Sequence, residues 1–141
     1  MQAAETFQIS LIVRFRDLDA LGHVNNAVMM TYFEEGRKQF FQDHFDLKKA
    51  NAFNFIMARS ECDYLLPVQL HDRLLLQMQT TRIGNKSFDF SYRLVDETDP
   101  RRVFARGKTV QVCYDYRAAK TIAVPESMAV VLKRFAPSKP E

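Results

Sequence analysis

The sequence predicts an α+β fold: a five-stranded antiparallel sheet wrapped around one long helix, with a short C-terminal helix. Three observations carry this. One stretch, Ala27 to Phe45, spaces its apolar residues at steps of three and four. Five others alternate apolar and polar residues with the period of a strand. Three of those five are neighbours in the chain joined by tight turns, which favours antiparallel pairing.

Taken in order, Thr6 to Phe15 is a half-buried strand with Phe7, Ile9, Leu11, Val13 and Phe15 on one face. A polar turn follows from Arg16 to Asn26. Gly22 is its residue best able to take a positive φ, and Asn25 or Asn26 is suited to cap the next helix. Met29, Tyr32, Phe33, Gly36, Phe40 and His44 then line one face of the long helix. A glycine inside a helix costs about 1 kcal/mol against alanine, so Gly36 points to close approach by another element. Asp46 to Asn54 is a polar connector. Phe55 to Leu66 is a strand with Ile56, Ala58, Ser60, Cys62 and Tyr64 on one face, stopped by Pro67.

His71 to Arg82 alternates again through Leu74, Leu76 and Met78. I-G-N-K-S (Ile83 to Ser87) is a hairpin turn. Ser87 to Val95 is the next strand, with Phe88, Phe90, Tyr92 and Leu94 facing inward, and D-E-T-D-P-R at 96–101 makes a second turn. Arg102 to Tyr116 is the longest strand. Its small face of Ala105, Gly107 and Thr109 suits a tightly placed helix and is expected to receive Gly36. Pro125 opens the last helix, whose stripe is Met128, Val131, Leu132 and Phe135. The tail P-S-K-P-E is expected to be loose. One sheet curled on one helix leaves an edge needing cover, so dimerisation is expected.

The 141 residues suit one domain, and 47% hydrophobic content with twelve Phe and five Tyr is globular composition. A formal charge of +3, with acids and bases mixed, is too weak to argue for nucleic acid. Cys62 and Cys113 form no C-x-x-C pair, which speaks against a metal site; both are expected to be reduced and buried. The N-terminus lacks the pattern of a secretory signal, and no apolar run approaches the ~20 residues that span a bilayer. A cytoplasmic protein without membrane association is expected.

The chemistry is concentrated between Arg14 and Arg37. There a strand end, a polar turn and a helix N-terminus bring a carboxylate close to free backbone N–H groups. Such a place can attack a carbonyl carbon and stabilise the resulting oxyanion. Spacing alone also allows Asp19 to be an acid that only caps the turn.

The segment D-L-D-A-L-G-H-V-N-N-A-V-M-M-T-Y-F-E-E-G-R resembles the active-site segment of hotdog-fold acyl-CoA thioesterases of the 4-hydroxybenzoyl-CoA thioesterase type. The turn I-G-N-K-S, the strand with A-R-G-K and the closing I-A-V-P-E extend the resemblance over residues 6 to 135, within a single domain 1–141. It implies a hotdog fold and hydrolysis of an acyl-CoA to free acid and coenzyme A, with no cofactor beyond the coenzyme A of the substrate and no metal. By the same match Asp19 is the catalytic carboxylate, as nucleophile or as general base, and the backbone N–H of Asn26 polarises the thioester carbonyl. His23 is a candidate to orient the substrate, although founding members of the family lack it. Asn25 is divided between capping and substrate contact. The acyl chain is expected beside Val28, Met29 and Phe33, or against a partner subunit.

Lys86 and Ser87 at the hairpin are candidates for coenzyme A contacts, with Arg59, Arg82, Arg106 and Lys108 as further basic groups. Asp17 reads as a solvated or turn-stabilising acid. Glu34 and Glu35 read as solvated or dimer-edge acids, since Glu35 lies about 13 Å along the helix from Asn26. His44 and His71 have no ligand-like neighbours. The expected assembly is a homodimer or a dimer of dimers. Alternatives are an acyl-carrier-protein thioesterase, a dehydratase (which would want a histidine paired with a helix acid) and a non-catalytic acyl-binding hotdog protein.

Overall fold

In the computed structural model, residues 5–46 and 54–137 are described. Strand β1 (Phe7–Ile12) leads through a 3-10 turn (Phe15–Asp17) to helix α1 (Asn26–His44). Strands β2 (Phe55–Tyr64), β3 (Arg73–Ile83), β4 (Ser87–Asp96) and β5 (Asp99–Asp115) follow. A two-residue strand β6 (Lys120–Thr121) and helix α2 (Glu126–Arg134) complete the chain. The main strands run in the order β1-β3-β4-β5-β2, with every pairing antiparallel, and β6 adds to β5. This is the expected hotdog arrangement, and it leaves β1 and β2 as the two edges.

In β3 and β4 the predicted faces pack as the alternation requires; in β2 a bulge between Met57 and Arg59 breaks the single face expected of Ile56, Ala58, Ser60, Cys62 and Tyr64, and Met57 lines the same crevice as Ser60. Leu74, Leu76 and Met78 of β3 and Phe88, Phe90, Tyr92 and Leu94 of β4 are buried beneath α1. The helix buries Met29, Tyr32, Phe33, Gly36, Phe40 and Phe41 against them. Much of the phenylalanine content gathers around Phe40, whose ring lies 5.3 Å from Phe7, 5.3 Å from Phe90 and 5.2 Å from Phe135. His44 closes that cluster and shares a hydrogen bond with the Phe40 carbonyl.

Four further expectations are corrected. Phe15 is 81% exposed, because the chain leaves the strand at Ile12 and turns before the alternation on paper ends. Gly36 does not meet Ala105 and Gly107. A Cβ there would lie 2.5 Å from Leu76 Cδ2 and 2.6 Å from Met78 Sδ, so its neighbour is β3. The small face of β5 receives Phe33 instead, since a Cβ on Gly107 would lie 2.7 Å from the Phe33 Cζ. The turn expected at 96–101 shrinks to Glu97–Thr98, because Asp96 pairs with Asp99 and its carboxylate accepts from Thr98 N–H at 2.9 Å. Cys113 is buried as expected and its thiol is pushed up to about 11 by burial, whereas Cys62 is only half-buried. The connector at 47–53 and most of the expected loose tail lie outside the described residues.

Candidate active site

The polar turn is held by Asp17. Its Oδ2 accepts from Arg14 N–H at 2.9 Å and from the Tyr32 hydroxyl at 2.8 Å, and its carbonyl accepts from Asn25 N–H at 2.8 Å. One residue therefore ties the strand end, the helix start and the second turn of α1 together. Burial, followed by the bond to Asp17, drives the Tyr32 phenol well above its ordinary range.

Inside this frame is a smaller loop. Leu18 and Val24 form an antiparallel bridge, and Asp19 N–H donates to the His23 carbonyl at 2.8 Å. Gly22 closes the loop at φ +80°, the positive angle expected of it, and donates to the Asp19 carbonyl at 3.1 Å. Val24 N–H donates to the Val68 carbonyl at 2.8 Å, which fixes the loop to the chain beyond β2.

Asp19 is exposed. Its Oδ1 accepts from Leu21 N–H at 2.9 Å and more weakly from His23 N–H at 3.4 Å, while Oδ2 has no partner among the described residues. The carboxylate thus both shapes the loop and keeps one oxygen free. Asn25 is the N-cap: its side-chain oxygen accepts from Ala27 N–H at 2.8 Å and its carbonyl from Val28 N–H at 2.9 Å. Asn26, the first helical residue, directs its N–H to no acceptor among the described residues. Its carbonyl accepts from the Tyr64 hydroxyl at 3.0 Å, so the end of β2 is fastened to the start of α1. An unaccepted N–H at the positive end of a 19-residue helix is what an incoming anionic oxygen needs. His23 is half-buried beside this loop, and its ring makes no hydrogen bond among the described residues.

The remaining candidates lie elsewhere. Met29 and Phe33 are 3% and 0% exposed; Phe33 stacks on Tyr92 at 4.5 Å, so both residues fill the subunit core. The crevice between α1 and β2 is instead lined by Met30, Thr31, Glu34, Arg37, Met57 and Ser60. Behind it Arg37 donates to the Tyr92 hydroxyl at 3.1 Å, and that hydroxyl shares a 2.6 Å bond with Thr109. Lys86 and Ser87 sit at the far end of the sheet. Cys113 N–H donates to the Lys86 carbonyl, Cys113 pairs with Phe55, and Phe55 packs on Phe41, 15 residues along α1 from Asn26. That is about 22 Å of helix, so within one subunit the hairpin does not meet Asp19. Lys86 Nζ lies 3.3 Å from Thr121 Oγ1, and the Ser87 hydroxyl accepts from Arg82 at 2.5 Å. Sequence reasoning missed the contact of Tyr64 with Asn26, for which no local signal existed.

The profile of the Thioesterase-like superfamily matches residues 13–132. The chain belongs to this superfamily. The chain is similar to the long-chain acyl-CoA thioesterase FadM of Escherichia coli K12, 29% identical over 91% of this chain and 98% of that protein. YsmA of Bacillus subtilis strain 168 is 31% identical over 80 residues, which span 57% of this chain and 54% of that protein. A thioesterase of Thermus thermophilus, solved in complex with coenzyme A and zinc, superposes with a TM-score of 0.80 at 30% identity, covering 96% of each chain. Among the described residues of this thioesterase-like chain, no three of His, Cys, Asp and Glu gather as metal ligands, and no helix is long and apolar enough to cross a membrane.

Proposed function

We propose that the protein is an acyl-CoA thioesterase in which Asp19 and the N–H of Asn26 act on the thioester carbonyl. The observation that carries this reading is the unaccepted Asn26 N–H at the start of α1, one short loop from a carboxylate with a free oxygen. The carbonyl oxygen takes that N–H, and negative charge developing on it is met by a fixed donor worth about 3 kcal/mol. Asp19 either removes a proton from an attacking water or attacks the carbon itself. The C–S bond breaks, the sulfur leaves as the thiolate of coenzyme A and takes up a proton, and the acid is released. When Asp19 is the nucleophile, water then cleaves the mixed anhydride. A thioester is already an activated acyl group, so the reaction needs no cofactor. His23 and Asn25 frame the loop on either side. A coenzyme A substrate fits a reaction in the cytoplasm.

The distance between the hairpin and Asn26 favours a homodimer as the working unit. β2 is an open edge of ten residues, with exposed Ile56, Met57 and Tyr64. Two copies pairing antiparallel through this strand would set the Phe55 end of one beside the Tyr64 end of the other. The Lys86–Ser87 hairpin of one subunit would then approach the Asp19 loop of its partner and serve the coenzyme A.

The deciding measurement is thiol release from short-chain, long-chain and aromatic acyl-CoA substrates, with an acyl-carrier-protein thioester in parallel. Turnover of a coenzyme A substrate supports the reading. Turnover confined to the carrier-protein thioester would shift the substrate class, and tight ligand retention without thiol release would make this an acyl-binding protein.

A further inference from the structure

The largest cavity among those described lies on the sheet face turned away from α1. It is a trough of about 780 Å³ crossing β3, β4 and β5, and three cations, Arg93, Arg106 and Lys108, line it without any carboxylate. Strand alternation puts these side chains opposite the inward-facing Tyr92, Ala105 and Thr109. Arg93 and Arg106 are direct cross-strand partners. Their Cα atoms are therefore about 4.5–5.5 Å apart, and like charges placed directly opposite are destabilising.

No acid forms an ion pair with either arginine among the described residues, although Asp63 is opposite Arg106 on the β2 side. Asp89 is buried between Arg82 at 3.0 Å and Lys108 at 3.7 Å, and Glu61 bridges Arg59 at 3.6 Å. Ser91 faces Lys108 across the strands and adds a hydroxyl to the same floor.

We propose that this trough binds a phosphate-bearing ligand through Arg93 and Arg106, with Lys108 and Ser91 at its side. Two adjacent guanidinium forks match the oxygens of a phosphate, and a doubly charged anion neutralises the pair where a single carboxylate would not. A second copy of the chain is disfavoured as the occupant, because it would bring the same cations against themselves. The site is independent of the thioesterase reading, as it lies behind the sheet from Asn26.

The test is a titration of the full chain with pyrophosphate, inorganic phosphate and adenosine 3′,5′-bisphosphate, against sodium chloride at matched ionic strength. Melting temperature and amide NMR shifts are the readouts. Wild type is expected to show a saturable rise in melting temperature beyond the chloride control, with shifts centred on Ser91, Arg93, Arg106 and Lys108. Arg93→Gln and Arg106→Gln should each weaken binding about tenfold or more, the loss of one charge-assisted contact. Arg117→Gln, which removes an exposed cation outside the trough, should bind as wild type. Tighter binding of the bisphosphate than of pyrophosphate assigns the site to nucleotide-borne phosphate; the reverse assigns it to free or other phosphoryl groups. No response beyond chloride, shifts centred elsewhere, or unchanged binding in both arginine variants would overturn the proposal. Should a variant fail to fold, the wild-type shift map decides alone.

Discussion

Replacing Asp19 by Asn and by Ala separates its contacts within the loop from the catalytic part proposed for it. In the folded loop Oδ1 accepts two backbone N–H groups, one at 2.9 Å and one at a weak 3.4 Å. Ala removes this acceptor, and with it both hydrogen bonds, at an exposed site, a loss of about 1–2 kcal/mol. Asn keeps an oxygen in the same place, so its loss should be about 0.5 kcal/mol. A domain of ordinary stability, about 5 kcal/mol or more, stays over about 99% folded after either change. Chemistry responds on a different scale. An amide can neither accept a proton at neutral pH nor attack the carbonyl, and loss of such a group costs about 10²- to 10⁴-fold in rate. Both variants should therefore fall at least about a hundredfold in kcat/KM for thiol release, while urea melts show Asn close to wild type and Ala slightly below. An Asn variant keeping a tenth or more of the activity would refute the assignment. So would activities that track stability, with Ala far below Asn.

Gly107→Ala forces a Cβ to 2.7 Å from the Phe33 Cζ and 3.1 Å from the Glu61 carbonyl, and should cost about 1–3 kcal/mol in urea denaturation. Gly36→Ala meets only the ends of Leu76 and Met78 and gains about 1 kcal/mol of helix propensity, so it should be the milder change; the reverse order would show the packing argument wrong. Cys113 has a folded value of about 11 against 9.0 for a free thiol, so the unfolded chain loses this proton first. Its contribution is complete below pH 9 and declines as pH rises to about 11, by about 2–3 kcal/mol. Urea melts at pH 8 and pH 11 should differ by less in Cys113→Ala than in wild type, and an equal difference would exclude the thiol as a source. Asp17→Ala and Tyr32→Phe break one hydrogen bond from its two ends, so a double-mutant cycle should give a coupling of about 0.5 kcal/mol or more, and strict additivity would rule the bond out as a stabilising contact.

The strands and the long helix were legible because each carries its own period. The buried face of β4 was readable from Phe88, Phe90, Tyr92 and Leu94 without reference to any other part of the chain. What the sequence did not carry was which face meets which. Gly36 and Gly107 were both visible as points of close approach, yet they belong to different contacts, because β3 and not β5 runs beneath Gly36. Strand order is set by the packing of the whole sheet, and no local pattern reports it. The same limit explains Met29 and Phe33. A helical stripe identifies the side chains that leave water, but a residue that fills the core is no longer free to line a crevice. Tyr64 was unreadable for a related reason: its partner is 38 residues earlier, and nothing near Tyr64 signals it.

The two acids of D-L-D show how one loop can keep a carboxylate oxygen free of protein partners. Asp17 and Asp19 are separated by a single residue, Leu18, whose bridge to Val24 orders the backbone between them. Asp17 turns toward the protein, and its Oδ2 is bonded to Arg14 and Tyr32. Had Asp19 been needed for that task, its charge would be committed to the fold. Because Asp17 anchors the frame from below, the Asp19 loop needs only light contacts to keep its shape. One carboxylate oxygen then stays without a partner among the described residues, as does the first N–H of the helix. The 3-10 turn matters here. In a continuous strand, residues two apart share a face, which would set the two charges against each other. The turn ends at Asp17 and breaks that alternation, so the two carboxylates take different partners.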